Sequence, residues 1–124
     1  MSIMMDALKE IESKLSREKG AFILFAVFER QDIPSRWDLV VAAPWIEQDH
    51  QNALRVLAAE MKERLSPNEL ERVSRIVLLH PGDASVRSIT SEHSIEHGRL
   101  EIDEGSHYGF PAERGFVITA RAAA

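Results

Sequence analysis

The chain has no cysteine, which excludes disulfides, thiolate–zinc centres and a cysteine nucleophile. That absence suits a reducing compartment, and a cytoplasmic location is expected. Long apolar runs are missing as well, since none approaches the ~20 residues that span a bilayer. The opening, MSIMMDALKEIESKLSREKG, has no basic segment followed by an unbroken apolar stretch, so it does not read as a signal peptide. Positive charge is not in excess: 15 Lys and Arg against 20 Asp and Glu give a net charge of −5. With both signs interspersed, the basic stripe of a nucleic-acid binder is absent. Neither nucleic acid nor membrane is an expected partner. There is no G-x-S-x-G, no Ser-x-x-Lys and no glycine loop shaped for phosphate. No motif assigns an activity.

What the chain does have is two apolar runs, 22–28 and 39–43, that do not alternate with polar residues. A strand with one wet face alternates, whereas a run apolar at every position is covered on both faces. A sheet whose centre is made early and packed on both sides follows. At 124 residues the chain fits one domain that buries roughly two-thirds of its unfolded surface.

The first helix is predicted over 3–19, with Met4, Leu8, Ile11 and Leu15 on one face, a Glu10–Lys14 pair along it and Gly20 as its stop. Strands follow at 21–28 and 37–43, joined by a polar loop and closed by Pro44, and read as an antiparallel hairpin. A second helix is expected over 49–65. Its stripe is Leu54, Leu57, Ala58, Met61 and Leu65, while Arg55, Glu60, Lys62 and Glu63 face water. Ser66-Pro67-Asn68-Glu69 combines an N-cap serine, a first-turn proline and a capping-box glutamate, so a short helix runs over 67–73. A third buried strand occupies 76–79, and Asp83 caps a helical turn through Ile89. The segment 94–101 has two readings. As a continuation of the preceding helix it puts Ile95 half a turn from Val86 and breaks the apolar face. As a hairpin turning at His97-Gly98 it sets Ile95 opposite Leu100 and Glu96 opposite Arg99. The hairpin is preferred. A glycine-rich aromatic loop, 104–114, leads to a last strand, 116–121. The expected fold is a single α+β domain, 1–124, with a mostly antiparallel sheet of about five or six strands. Its element order is helix, strand, strand, helix, then four strands. The order is similar to that of roadblock or profilin-like domains, which implies a central first strand with the last strand beside it.

His93-Ser94-Ile95-Glu96-His97 fits H-x-x-E-H and resembles the motif of inverted zinc peptidases. That resemblance implies zinc held by the two histidines and water activated by Glu96. It needs a helix, and the hairpin reading turns His97 away from His93. No metal or cofactor is therefore expected. A looser cluster remains, with His93, His97 and His107 among Glu92, Glu96, Glu101, Asp103 and Glu104. Trp37 and Trp45 bracket the second strand about 26 Å apart at ~3.3 Å per residue, too far for one aromatic cage. Each is expected to seal one end of the core, with exposure as the alternative. The candidate binding residues are Arg36, Trp37, Trp45, His107, Tyr108 and Phe110, because tryptophan and arginine anchor interfaces and loops like 104–114 carry function. The leading expectation is a non-catalytic module that binds a protein partner or self-associates as a homo-oligomer. One alternative is a small metal-dependent hydrolase using residues 92–107. The other is a small-ligand sensor with a cavity of at least ~300 Å3 beside Tyr108 and Phe110.

Overall fold

A computed structural model describes residues 2–33, 35–103, 108–109 and 112–122. In chain order the elements are α1 (Ser2–Glu18), β1 (Leu24–Arg30), β2 (Trp37–Ala42), α2 (Pro44–Gln48) and α3 (His50–Arg64). After these come α4 (Pro67–Arg72), β3 (Val73–Leu78), α5 (Ala84–Glu92), β4 (Leu100–Ile102) and β5 (Ala112–Ala120). The five strands form one sheet in the order β3-β2-β1-β5-β4. Every neighbouring pair is antiparallel except β2 with β3, so the sheet is mixed. As the element order implies, β1 is central and β5 lies beside it.

The non-alternating runs are buried on both sides. Successive side chains of β1 leave opposite faces. Phe25 and Val27 join a core with Leu39, Val41, Phe116 and Ile118. Leu24, Ala26 and Phe28 join another with Val40, Ala42 and Val117. The first core is closed by α1, through Met5, Leu8, Ile11 and Leu15, and by α3, through Ala53, Leu57 and Met61. The second is closed by Val86 and Ile89 of α5 and by Tyr108. At about 1.5–3 kcal/mol for each fully buried large apolar side chain, α1 alone is a major contributor. Helix α1 stops where expected, at Gly20, whose φ of +129° is a conformation side-chain-bearing residues rarely adopt. Gly115 is required for a different reason: a Cβ there would lie 2.4 Å from the Phe28 ring and 2.8 Å from the Val27 carbonyl.

Local signals held where they were strongest. The Ser66 hydroxyl accepts from the Glu69 amide at 3.2 Å, and Glu69 accepts from the Ser66 amide at 2.8 Å, completing the predicted capping box. Asp83 caps α5 through the Ser85 amide at 2.9 Å.

Several expectations need correction. The chain between α5 and β4 is neither helix nor hairpin. The His93 amide closes the helix on the Ile89 carbonyl. Ile95 then bridges Ala120, and Leu100 pairs with Val117. Both segments therefore run along one edge of β5 in the same direction, interrupted at His97, whose φ is +52°. Glu96 pairs with Arg121 at 2.9 Å, not with Arg99, and Arg99 lies over the Phe116 ring at 4.9 Å. The β5 edge offers more backbone partners than a two-residue turn could. The third strand starts at Val73, directly from α4, and is a half-buried edge strand, because among the described residues only β2 pairs with it. Pro44 opens a short helix that carries Trp45. The Glu10–Lys14 pair does not form: Lys14 bonds Glu60 at 2.6 Å and Glu10 bonds Arg64 at 3.2 Å. Glu60 consequently does not face water, with its side chain only 12% exposed. The stripe of α3 is rotated relative to expectation, burying Ala53 and leaving Leu54 39% exposed and Ala58 exposed.

Candidate functional site

The four candidate binding residues that the structure describes, Arg36, Trp37, Trp45 and Tyr108, do not converge. Arg36 is exposed, and its Nη1 donates to the Glu71 carbonyl. Trp37 is 2% exposed, its ring 5.8 Å from that of Phe116 and capped by the Arg114 guanidinium at 5.5 Å. It seals the core and presents no exposed anchor. Trp45 is half-buried, edge-on to Phe22 at 5.7 Å. Tyr108 is 8% exposed and lies in the other core. His107 and Phe110 lie outside the described residues.

The two histidines of the H-x-x-E-H pattern belong to separate networks. His93 bonds the Tyr108 hydroxyl through Nε2 at 2.9 Å, and that hydroxyl donates to Glu92 Oε2 at 2.6 Å. The phenol has one proton, so the imidazole donates through Nε2–H. The Glu92 hydrogen bond, followed by burial, pushes the Tyr108 phenol up to about 12. His97 bonds Glu12 through Nδ1 at 2.5 Å. Among the described residues, no three His, Asp or Glu side chains are grouped to hold a metal ion. The pattern is helical in its spacing, but the chain leaves the helix at its first histidine.

Glu12 was not among the residues singled out, although its position four after Leu8 and three before Leu15 places it on the apolar face of α1. It is fully buried and accepts from Ser16 and Thr119, both at 2.9 Å, as well as from His97. Thr119 Oγ1 in turn accepts the His97 amide at 3.1 Å. A buried carboxylate persists only when paired and hydrogen-bonded, and these contacts tie α1, β5 and the 96–98 kink together. Both hydroxyls donate into Glu12, so neither is positioned for activation by the imidazole. The cluster is a clasp.

An apolar surface groove lies at the β3 edge. Leu54, Ala58, Met61, Leu70, Val73 and Ile76 line an apolar groove of about 440 Å3 between α3, α4 and β3. Its charged lining residues, Lys62 and Arg75, are both basic. On the opposite face a smaller cleft of about 220 Å3 is bordered by Gly109 and Ala112. It is close to where a ligand cavity was expected but below the ~300 Å3 typical of such pockets. No helix among the described residues is long and apolar enough to cross a membrane. Searches of protein-family models, curated proteins and solved structures return no match to this chain.

Proposed function

We propose that the protein is a non-catalytic interaction module whose β3 edge and adjoining groove take an extended, acidic and apolar segment of a protein partner. The observation that supports this reading is the juxtaposition of an edge strand with an apolar groove. Strand addition uses free main-chain groups for affinity and neighbouring pockets for specificity, and among the described residues β3 has a neighbour on one side alone. The exposed Leu54 and Ala58 belong to the stripe of α3 that the fold leaves uncovered. Charge selects the occupant. In a chain of net charge −5 the groove carries Lys62, with exposed Arg72 just before the strand, while the Arg75 guanidinium is paired with Asp38. Like charges oppose packing two copies groove to groove, whereas acidic side chains complement them.

Two fluorescent peptides of alternating apolar and charged residues, one with glutamate and one with lysine, test the proposal by anisotropy. The glutamate peptide is expected to bind at least tenfold more tightly, and Leu54→Glu is expected to abolish binding. Equal affinities, or binding indifferent to Leu54→Glu, overturn the reading. Sedimentation velocity provides the second arm. A monomer at micromolar concentration is expected, and a dimer dissolved by Leu54→Glu replaces the partner with a second copy.

A further inference from the structure

The clasp leaves one nitrogen of its imidazole uncommitted. His97 Nδ1 lies 2.5 Å from Glu12 Oε1, and the other hydrogen bonds fix which group donates. Thr119 Oγ1 accepts the His97 amide at 3.1 Å and gives its own proton to Glu12 Oε2 at 2.9 Å, where Ser16 Oγ also donates at 2.9 Å. Glu12 is thus an acceptor throughout and is fully buried, so an imidazole proton sits on Nδ1. In the neutral ring that leaves the lone pair on Nε2, which makes no hydrogen bond among the described residues. The His97 side chain is 49% exposed although Nδ1 faces a carboxylate with no exposure. The part of the ring open to solvent is therefore the far edge, which carries Nε2.

No other described histidine is arranged this way. His93 uses Nε2 on the Tyr108 hydroxyl at 2.9 Å. His80 accepts the Gly82 amide through Nδ1 at 2.8 Å, which places its proton on Nε2. His50 pairs with Glu47 at 3.1 Å, but that carboxylate is partly exposed and its charge is screened by water. A carboxylate behind an imidazole fixes the tautomer and stabilises the positive charge that appears when the opposite nitrogen forms a bond. Burial strengthens the second effect, because the Glu12 charge is not shared with water. The nearest basic neighbour along the chain, Arg99, is exposed, lies over the Phe116 ring and forms no ion pair among the described residues. An electrophile that is itself an anion meets a free cation there.

We propose that His97 Nε2 is a phosphoryl-accepting site, with Glu12 as the positioning residue behind it and a P–N bond, such as that of a phosphohistidine on another protein, as the donor. The Nε2 lone pair attacks phosphorus, the donor's P–N bond breaks, and its electron pair returns to the donor nitrogen. The Nδ1 proton stays on the His97 ring, whose new positive charge lies against Glu12. Transfer from one imidazole to another exchanges like bond for like, so no further reactant is needed. The site is independent of the β3 groove and stands whether or not a protein partner docks there.

Potassium phosphoramidate, whose leaving group is ammonia, is the probe for the full chain, at a pH above the usual imidazole value of ~6.5. Site-resolved mass spectrometry and phosphorus NMR read the products. His97 is expected to be phosphorylated at Nε2 about tenfold faster than His50 or His80, although their side chains are 56% and 72% exposed. Glu12→Gln keeps the shape and an acceptor oxygen but removes the charge. It is expected to bring His97 down to the rate of His50 while leaving His80 unchanged, with circular dichroism verifying the fold. Nitrogen-edited NMR on the unsubstituted chain reads the tautomer without any variant and is expected to place the proton on Nδ1. Rates that follow exposure, a His97 rate indifferent to Glu12→Gln, or a neutral ring with its proton on Nε2 overturns the proposal.

Discussion

The two faces of the sheet are buried by different means. One is roofed by α1 and α3, helices of 17 and 15 residues, whose side chains interlock with Trp37, Phe25 and Phe116. The other is roofed by the 9-residue α5 and the chain around Tyr108, and among the described residues a cleft lies beside them. Long amphipathic helices cover the whole width of a small sheet, whereas a short one covers part of it. The long-helix face also contains a fully buried carboxylate, Glu12, with three partners. The short-helix face has one in Asp38 whose Oδ1 is unmatched among the described residues. Satisfied polar groups fasten a core, whereas Asp38 Oδ1 has the Arg30 guanidinium 3.9 Å away.

The largest expected effect tests that asymmetry directly. Trp37→Ala, on the long-helix face, is expected to lower unfolding free energy in urea by about 3–5 kcal/mol. Ile89→Ala, on the short-helix face, is expected to fall near the lower end of the Ile→Ala range, about 2 kcal/mol, because the neighbouring cleft lets the site relax. Equal losses would break the comparison. Next comes the clasp. His97→Ala deprives Glu12 of one donor while leaving Ser16 and Thr119, and the expected loss is about 1.5–3 kcal/mol, the range for hydrogen bonds to charged groups. No loss would show that the imidazole contributes nothing to holding the 96–98 kink.

On the other face, the chain's single tyrosine makes the alkaline titration readable by absorbance. Tyr108 is expected to ionise near 12 in the folded protein and near ~10 when unfolded in urea. A phenol raised on folding contributes stability that is complete below pH ~10 and disappears as pH climbs toward 12. Glu92→Gln is expected to bring the folded midpoint down. A native midpoint near that of the unfolded chain would separate Tyr108 from Glu92. Under the long helices the sign reverses. The Lys14 hydrogen bond, helped by Arg64, holds the Glu60 carboxyl below its usual range. Its contribution is present above about pH 4.3 and lost on further acidification. Glu60→Gln is expected to flatten the acid limb of the stability curve, and an unchanged limb would remove that pair from the account. Smallest of all, Leu54→Glu at the groove is expected to stay within about 0.5 kcal/mol of the parent, even though it abolishes peptide binding. A large loss there would mean that the groove is core after all.

Elements defined by their own residues were legible. The stripe of α1, the capping box at Ser66, the cap at Asp83 and the doubly buried strands each depend on neighbours within a few positions. Elements defined by distant partners were not. The segment at 94–101 has good cross-strand pairs for a hairpin, yet the β5 edge claims both of its halves. Lys14 sits four residues from Glu10, yet Glu60 on the facing helix wins it. The candidate sites divide in the same way. Trp37 and Tyr108 were visible as residue types, and the structure buries both. Glu12 was visible only as a carboxylate inside an apolar stripe. Asp38 and Arg30 acquired meaning when the β1–β2 and β2–β3 registers brought Arg30 and Arg75 around one carboxylate.

By itself the sequence determined a cysteine-free α+β chain with a doubly covered central hairpin, because hydrophobic period and capping are properties of adjacent residues. The tertiary structure alone decided that β3 is an edge, that His93 and His97 part company, that Glu12 is clasped, and that Asp38 borders an open cleft. Each of those depends on strand order, register or helix rotation, which are chosen by competition among partners far apart in the chain.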